Sequence, residues 1–351
     1  MSNVDLVERT VADLLDRHCT SELVSAAEGS WSPEIWQRLE EIGLTRIGVD
    51  ERLGGAGGGI ADAATVLRVA AGHAAPVPLA EALFPVAAGC TASGLALPDG
   101  PVTVADGAGL TLTPDGAGAV LRGVANRVPY ARVSQRVLVV TDDPQPALAA
   151  LVDPADCRLT GIDNLAGEPR DDLAADGVRI PRSAIAEVPP GTAGHLRRLG
   201  ALARAVQLSG ALDSVLEATV RYAGERVQFG RPIGQFQAVA HQIAELAGLA
   251  AGAGAAAQAA VAAVAADPDS ATLAIAAAKA RTSAAAGPAA RIAHQVHGAI
   301  GFTQEHRLHH LTRRLWAWRE ECGSAEHWAR ELGRVVIAGG GDGLWPTITG
   351  M

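Results

Sequence analysis

The spacing of apolar and polar positions divides the chain into three parts. Through residues 1–98 apolar residues recur at helical intervals. In Ser32–Ile42, Trp36, Leu39 and Ile42 follow that spacing, and Ser32, Pro33 and Glu34 make a helix start. A further helix is expected from about Ile60 to His73, after the loop Gly54–Gly59. Near residue 100 the period changes. Val102–Ala105, Gly109–Thr113, Ala119–Gly123, Arg136–Thr141, Leu148–Val152 and Gly177–Ile180 are short runs rich in Val, Leu and Thr, separated by Gly, Pro, Asp and Asn. Pro181 closes that series. From about Gly191 helical spacing returns, with helices expected over 195–224, 236–266, 271–299, 305–319 and 324–338. Asp267–Ser270 is a break, with Ser270 placed to cap the next helix.

This order predicts an α+β chain: an N-terminal all-helical domain over 1–98, a reduced middle β domain (barrel or sandwich) over 99–188, and an antiparallel helical bundle over 189–351. Composition refines the picture. With 48% hydrophobic residues but 3% aromatics, the core must be built from Ala, Val, Leu and Ile, which suits closely packed helices. A formal charge of -9 argues against a nucleic-acid surface. Lys279 is the only lysine, and its rarity reads as genome composition. Cys19, Cys90, Cys157 and Cys322 form no CxxC pair, so a reduced, cytoplasmic chain without zinc or disulfides is expected. The N-terminal residues lack the apolar run of a signal peptide, and the Ala-rich stretch at 244–266 reads as too weakly hydrophobic for a membrane span. His306 and His310 have i, i+4 spacing, yet no Cys or acid completes a ligand set, so no metal is expected. Glu305 reads as a solvated helix-start residue, and Trp316 and Trp318 as packing residues.

Two local motifs carry chemistry. The first is Glu225-Arg226-Val227-Gln228-Phe229-Gly230-Arg231-Pro232-Ile233, followed by Phe236-Gln237. The second is Gln295-Val296-His297-Gly298-Ala299-Ile300-Gly301-Phe302-Thr303. Together, in this order and at this separation, they resemble signatures of the acyl-CoA dehydrogenases, and Gly43–Gly55 resembles a third family phrase. The resemblance is strong from 200 to 335 and loose before that. It implies FAD as cofactor, an acyl-CoA substrate in lipid metabolism, oxidoreductase chemistry on a CH–CH bond, and an electron-transfer flavoprotein as acceptor. It further implies that Arg226 reaches the flavin pyrophosphate across a subunit interface. Phe229, Phe236 and Gln237 would line the flavin, with Gln228 beside them, and Gln295, Gly298 and Gly301 would let backbone approach the adenine end. A guanidinium fork suits paired phosphate oxygens, and glycine permits close approach.

The chain departs from the family where the base should be. The usual glutamate position falls on Cys322, and the alternative on an earlier helix falls on Gly200. A thiol is a poor base at neutral pH. Glu321 sits one residue early, about 100° around a helix from the required face. The family's TEPxxGSD loop is missing from Val102–Leu110, and Gly123–Arg132 replaces a segment that carries an aromatic. The pattern resembles the shorter subunit of bacterial heteromeric acyl-CoA dehydrogenases, which lends cofactor contacts to a sister chain in a heterotetramer. A self-sufficient homo-oligomer using Glu321, or a non-enzymatic family member, are the alternatives. The acyl group is not named by the sequence.

Overall fold

The structure is a computed structural model that describes residues 3–116, 118–142 and 145–349. Its N-terminal part holds α1 (Asn3–His18), α2 (Ser21–Ala26), α3 (Pro33–Glu41), α4 (Ile60–Gly72), α5 (Leu79–Glu81) and α6 (Ala87–Ser93). Ser32 caps α3, its hydroxyl accepting from the Ile35 amide, with Pro33 in the first turn. The apolar face so formed buries Ile35, Trp36 and Leu39.

The middle part is two four-stranded sheets. One has the order β1 (Val102–Ala105), β4 (Arg136–Thr141), β5 (Leu148–Val152), β8 (Ile185–Glu187), with β1 and β4 parallel. The other is β2 (Leu110–Asp115), β3 (Gly118–Pro129), β7 (Arg170–Pro181), β6 (Arg158–Thr160), antiparallel throughout. A core including Leu112, Leu121, Val137, Val139, Leu173 and Ile180 lies within this part. The other face of β4, carrying Leu138 and Val140, packs on Val86, Cys90 and Leu196. Burial on both faces explains why β4 reads as an unbroken apolar run rather than an alternation.

β1, β4 and β5 fall where the sequence placed them. β3 and β7 run longer than expected because the ladder continues past the apolar runs, Val128 and Pro129 pairing with Asp171 and Arg170, and Thr160 with Asp172. β6 and β8 were not anticipated; at three residues each they carry too little pattern.

The C-terminal part comprises α7 (Thr192–Glu225), α8 (Gln237–Ala266), α9 (Thr272–His297), α10 (Leu308–Trp318) and α11 (Ala325–Thr349), with a hairpin of β9 (Val227–Gln228) and β10 (Arg231–Pro232) after α7. Ser270 does not cap α9: its hydroxyl donates to the Asp267 carbonyl, and Ala271 holds the cap position. α8 is long and apolar enough to cross a membrane by length and composition alone, a test that a core helix also passes. One face of it, including Leu246, Ala250, Ala253 and Ala257, is buried against the bundle.

The N-terminal helices and the bundle share one continuous core, from Leu15 and Leu67 to Leu212 and Leu315. Small residues set its spacing. A Cβ on Gly210 would stand 2.0 Å from the Arg68 carbonyl oxygen, where α4 crosses α7. Gly210→Ala should therefore destabilise the fold by about 2 kcal/mol or more, the cost of forcing two backbones apart. Thermal melting against wild type checks this, and an unchanged midpoint would contradict the close crossing.

Candidate active-site cleft and flavin-contact surface

A cleft of about 1050 Å³ opens where the three parts meet. Glu81 and Pro85 line it from the N-terminal helices, Val104 and Arg127 from the sheets, and Gly200, Trp316 and Cys322 from the bundle. The two base positions read from the sequence converge here. A Cβ built on Gly200 would lie 3.3 Å from Cys322 Sγ. Neither supplies a carboxylate. The Cys322 thiol is open to the cleft, yet the protein packed around it raises its pKa; burial is the largest influence and outweighs the opposing pull of Arg204.

Glu321 is not on a helix, so its angular offset has a different origin from the one expected. α10 ends at Trp318, and Cys322 takes a left-handed backbone, φ 54. This turn carries Glu321 into a chain of buried charges. Arg170 grips its carboxylate with a fork, Nε to Oε1 and Nη2 to Oε2, each at 2.9 Å. Arg204 Nε donates to Oε2 at 2.8 Å, and Asn164 Nδ2 to Oε1 at 2.9 Å. Arg204 also donates to Glu81 at 2.5 Å and Gln207 at 2.6 Å. Arg170 pairs with Glu168, which accepts from Trp318 Nε1 and lies 3.2 Å from Arg314 Nε. Burial would push the Glu321 carboxyl up, but Arg170 and Arg204 together prevail and hold it at about 2. Burial likewise opposes ionisation of Glu168, and Arg314 and Arg170 lower it.

The sequence reading missed this cluster, although a signal existed. Glu81 sits in PVPLAEALFPV and Arg204 in LGALARAVQL, single charges within apolar helical runs. A charge in that setting must be paired.

The residues expected from the sequence to contact a flavin lie elsewhere. Arg226 caps α7 and is exposed. After it, Phe229 (φ 50) and Gly230 (φ 79) form the two-residue turn between β9 and β10, a pair of left-handed conformations that suits such hairpins. Phe229 is 93% exposed, and Gln228 and Gln237 are exposed beside it. Phe236 is half-buried, edge-on to Phe229 and under the Arg231 guanidinium at 4.3 Å. The second motif stands next to the first, because Tyr222 stacks on His297 with centroids 4.5 Å apart. Gln295 and Gly298 are exposed, and Gly298 has φ 65 with ψ -144, a backbone region reserved for glycine. Gly301 has a packing reason to be glycine. It is buried, and a Cβ there would meet His297 at 3.0 Å and His294 at 3.2 Å. Trp318 is buried as expected, whereas Trp316 is 42% exposed and lines the cleft.

The two regions are well separated. Twenty-five residues of continuous helix lie between Gly200 and Arg226, a span of about 39 Å at the rise of an α-helix.

Family models described as acyl-CoA dehydrogenase, N-terminal domain and acyl-CoA dehydrogenase, C-terminal domain match residues 3–91 and 197–337. The chain belongs to the acyl-CoA dehydrogenase family, whose members are FAD-dependent oxidoreductases. It is 31% identical over 340 residues to acyl-CoA dehydrogenase IpdE2 of Mycolicibacterium smegmatis, covering 95% of this chain and 98% of that one. Among solved structures it resembles a chain of the ChsE4-ChsE5 complex from Mycobacterium tuberculosis, with a TM-score of 0.85, 26% identity, and 95% and 97% of the two chains covered. The Tcur3481-Tcur3483 steroid enzyme shares the fold, with a TM-score of 0.84, 23% identity, and 96% and 98% covered.

The buried cluster predicts a pH signature. Glu321 is held at about 2 against an ordinary 4.5, so on acidification the unfolded chain takes up this proton first. The stabilisation is complete above about 4.5 and is lost as pH falls towards 2. Glu321→Gln should cost about 3 kcal/mol at neutral pH, because Arg170 and Arg204 each lose one of their two buried counter-charges. It should also flatten the acid limb of stability. Urea unfolding at pH 7 and pH 3 measures both effects, and an equally steep acid limb in the variant would contradict the assignment.

Proposed function

We propose that this chain is one subunit of a two-chain, FAD-dependent acyl-CoA dehydrogenase, and that it completes the flavin site of a sister chain rather than its own. The observation that carries the two-chain reading is the lack of a carboxylate at both Gly200 and Cys322, and the separation along α7 adds that the flavin is shared between chains. The cleft floor at Gly200 and Cys322 and the contact surface at Arg226 and Gly298 stand about 39 Å apart, farther than one flavin adenine dinucleotide reaches. A flavin whose diphosphate meets Arg226 thus places its ring in another chain's cleft. The exposed contact residues fit that role. Arg226 presents a fork to the diphosphate, Phe229 and Gln228 project from the hairpin tip, and Gly298 leaves its backbone open to the adenine end. The wide exposed face of α8 supplies further surface for a partner.

In this reading a carboxylate of the partner takes the α-proton of the acyl thioester, and a bound flavin supplies acceptance of the β-hydride. An electron-transfer flavoprotein is the electron acceptor the family implies. The chain's own cleft lacks a base at both family positions. Glu321 as a displaced base is opposed by its surroundings, since both oxygens are covered by guanidiniums and a carboxyl held at about 2 is a weak proton acceptor.

Flavin stoichiometry tests the proposal. The chain purified alone should be colourless. Co-purified with a family member that carries the loop and glutamate, it should hold FAD at fewer than one per chain. A lone chain that binds one FAD per protomer and desaturates an acyl-CoA overturns the reading. In the pair, Arg226→Ala should weaken FAD retention by about ten- to a hundredfold, the value of a lost charge-assisted fork. Absorbance near the flavin band after gel filtration measures it, and full retention would remove Arg226 from the site. Glu321→Gln in folded pairs should leave substrate bleaching of the flavin in place, whereas its abolition would favour the displaced base.

A further inference from the structure

Lys279 lies in the first third of α9 with none of its surface exposed. Its Nζ donates to Ser283 Oγ at 2.8 Å, and to the carbonyl oxygens of Arg319 at 2.9 Å and Gly323 at 2.7 Å. Those two carbonyls bracket the turn that follows α10. Between them the backbone needs support, with Cys322 at φ 54 and Gly323 at φ 96. Trp328 adds one more tie, Nε1 donating to the Cys322 carbonyl at 2.8 Å. Held this way, the turn delivers Glu321 to Arg170 and Arg204 and sets Cys322 against Gly200.

The identity of the side chain matters. An ammonium has three donors, and here three acceptors surround it. A guanidinium is planar and larger, and cannot aim three donors from one atom. Every other basic side chain of the Lys and Arg type in this sequence is arginine. Composition therefore accounts for lysine being rare, and geometry accounts for the one position where it occurs.

We propose that Lys279 is the positioning residue of the cleft, its ammonium fixing the 319–323 turn so that Glu321 enters the charge cluster and Cys322 faces Gly200. This goes beyond the division of labour between chains and holds whichever chain supplies the base. The charged and titratable groups that act on the ammonium are Cys322, Arg204, Glu321 and Glu320. Burial is the strongest influence and brings the amine down to about 8. The charge that holds the turn is thus sensitive to pH just above neutrality.

Hydrogen exchange followed by mass spectrometry on the full chain tests the proposal. In Lys279→Met, the segment 319–328 should exchange about tenfold faster while α7 and the β-sheets stay within about twofold, the signature of local rather than global opening. Lys279→Arg should not restore protection. In wild type, exchange of that segment, corrected for its intrinsic pH dependence, should rise from pH 7 to pH 9, and Lys279→Met should lack this rise. A folded Lys279→Met with an unchanged turn, or a Lys279→Arg indistinguishable from wild type, overturns the proposal. Should Lys279→Met fail to fold, Ser283→Ala decides. It removes one acceptor and should speed exchange of the turn by about threefold; an unaltered rate there counts against Lys279.

Discussion

Five buried charges, Glu81, Arg204, Arg170, Glu168 and Arg314, and the partly buried Glu321 alternate in sign through the junction of the N-terminal helices, the sheets and the bundle. Taking any one of them out of water alone would be costly, and their mutual contacts offset that cost only while every member is in place. The arrangement is therefore conditional. Glu81 comes from one layer, Glu168 and Arg170 from a second, and the remainder from the third. A shift of one layer against another would strand a charge in a medium that cannot solvate it. Apolar packing alone does not discriminate so sharply, because a core built largely of alanine offers little interlocking relief. The charge cluster is the feature that fixes where the cleft walls stand.

The long helix α7 adds a second constraint. It contributes Gly200 and Arg204 in its first half and leads to Arg226 at its end, so the cleft floor and the exposed hairpin tip belong to one stiff rod. Whatever holds Arg204 also aims Arg226. Contacts made to a neighbouring chain at the tip are thereby referred to the same frame as the local cleft, although the two serve different molecules in the proposed assembly.

The sequence displayed much of this. Helical spacing in the first and last parts and short Val-rich runs in the middle marked the three layers, and strands such as Arg136–Thr141 were visible because both faces are buried. Motifs at Arg226 and Gln295 were legible as local strings. What stayed hidden depends on contact between distant segments. Glu81, Glu168 and Glu321 are far apart along the chain, and only folding reveals that they share guanidiniums. Lys279 looked like an accident of composition because its acceptors, two backbone carbonyls some forty residues on, leave no trace in residue identity. The close packing of Gly301 against His294 and His297 was likewise out of view.

The meeting of Gly200 and Cys322 bears on how such enzymes diversify. Side chains grown from either backbone point would end in nearly the same volume, one hung from a rigid rod and the other from a tethered bend. A lineage could transfer its proton acceptor from one scaffold to the other without redocking the thioester. With neither anchor carrying a carboxylate, the site is one where new chemistry could be installed by a single codon change.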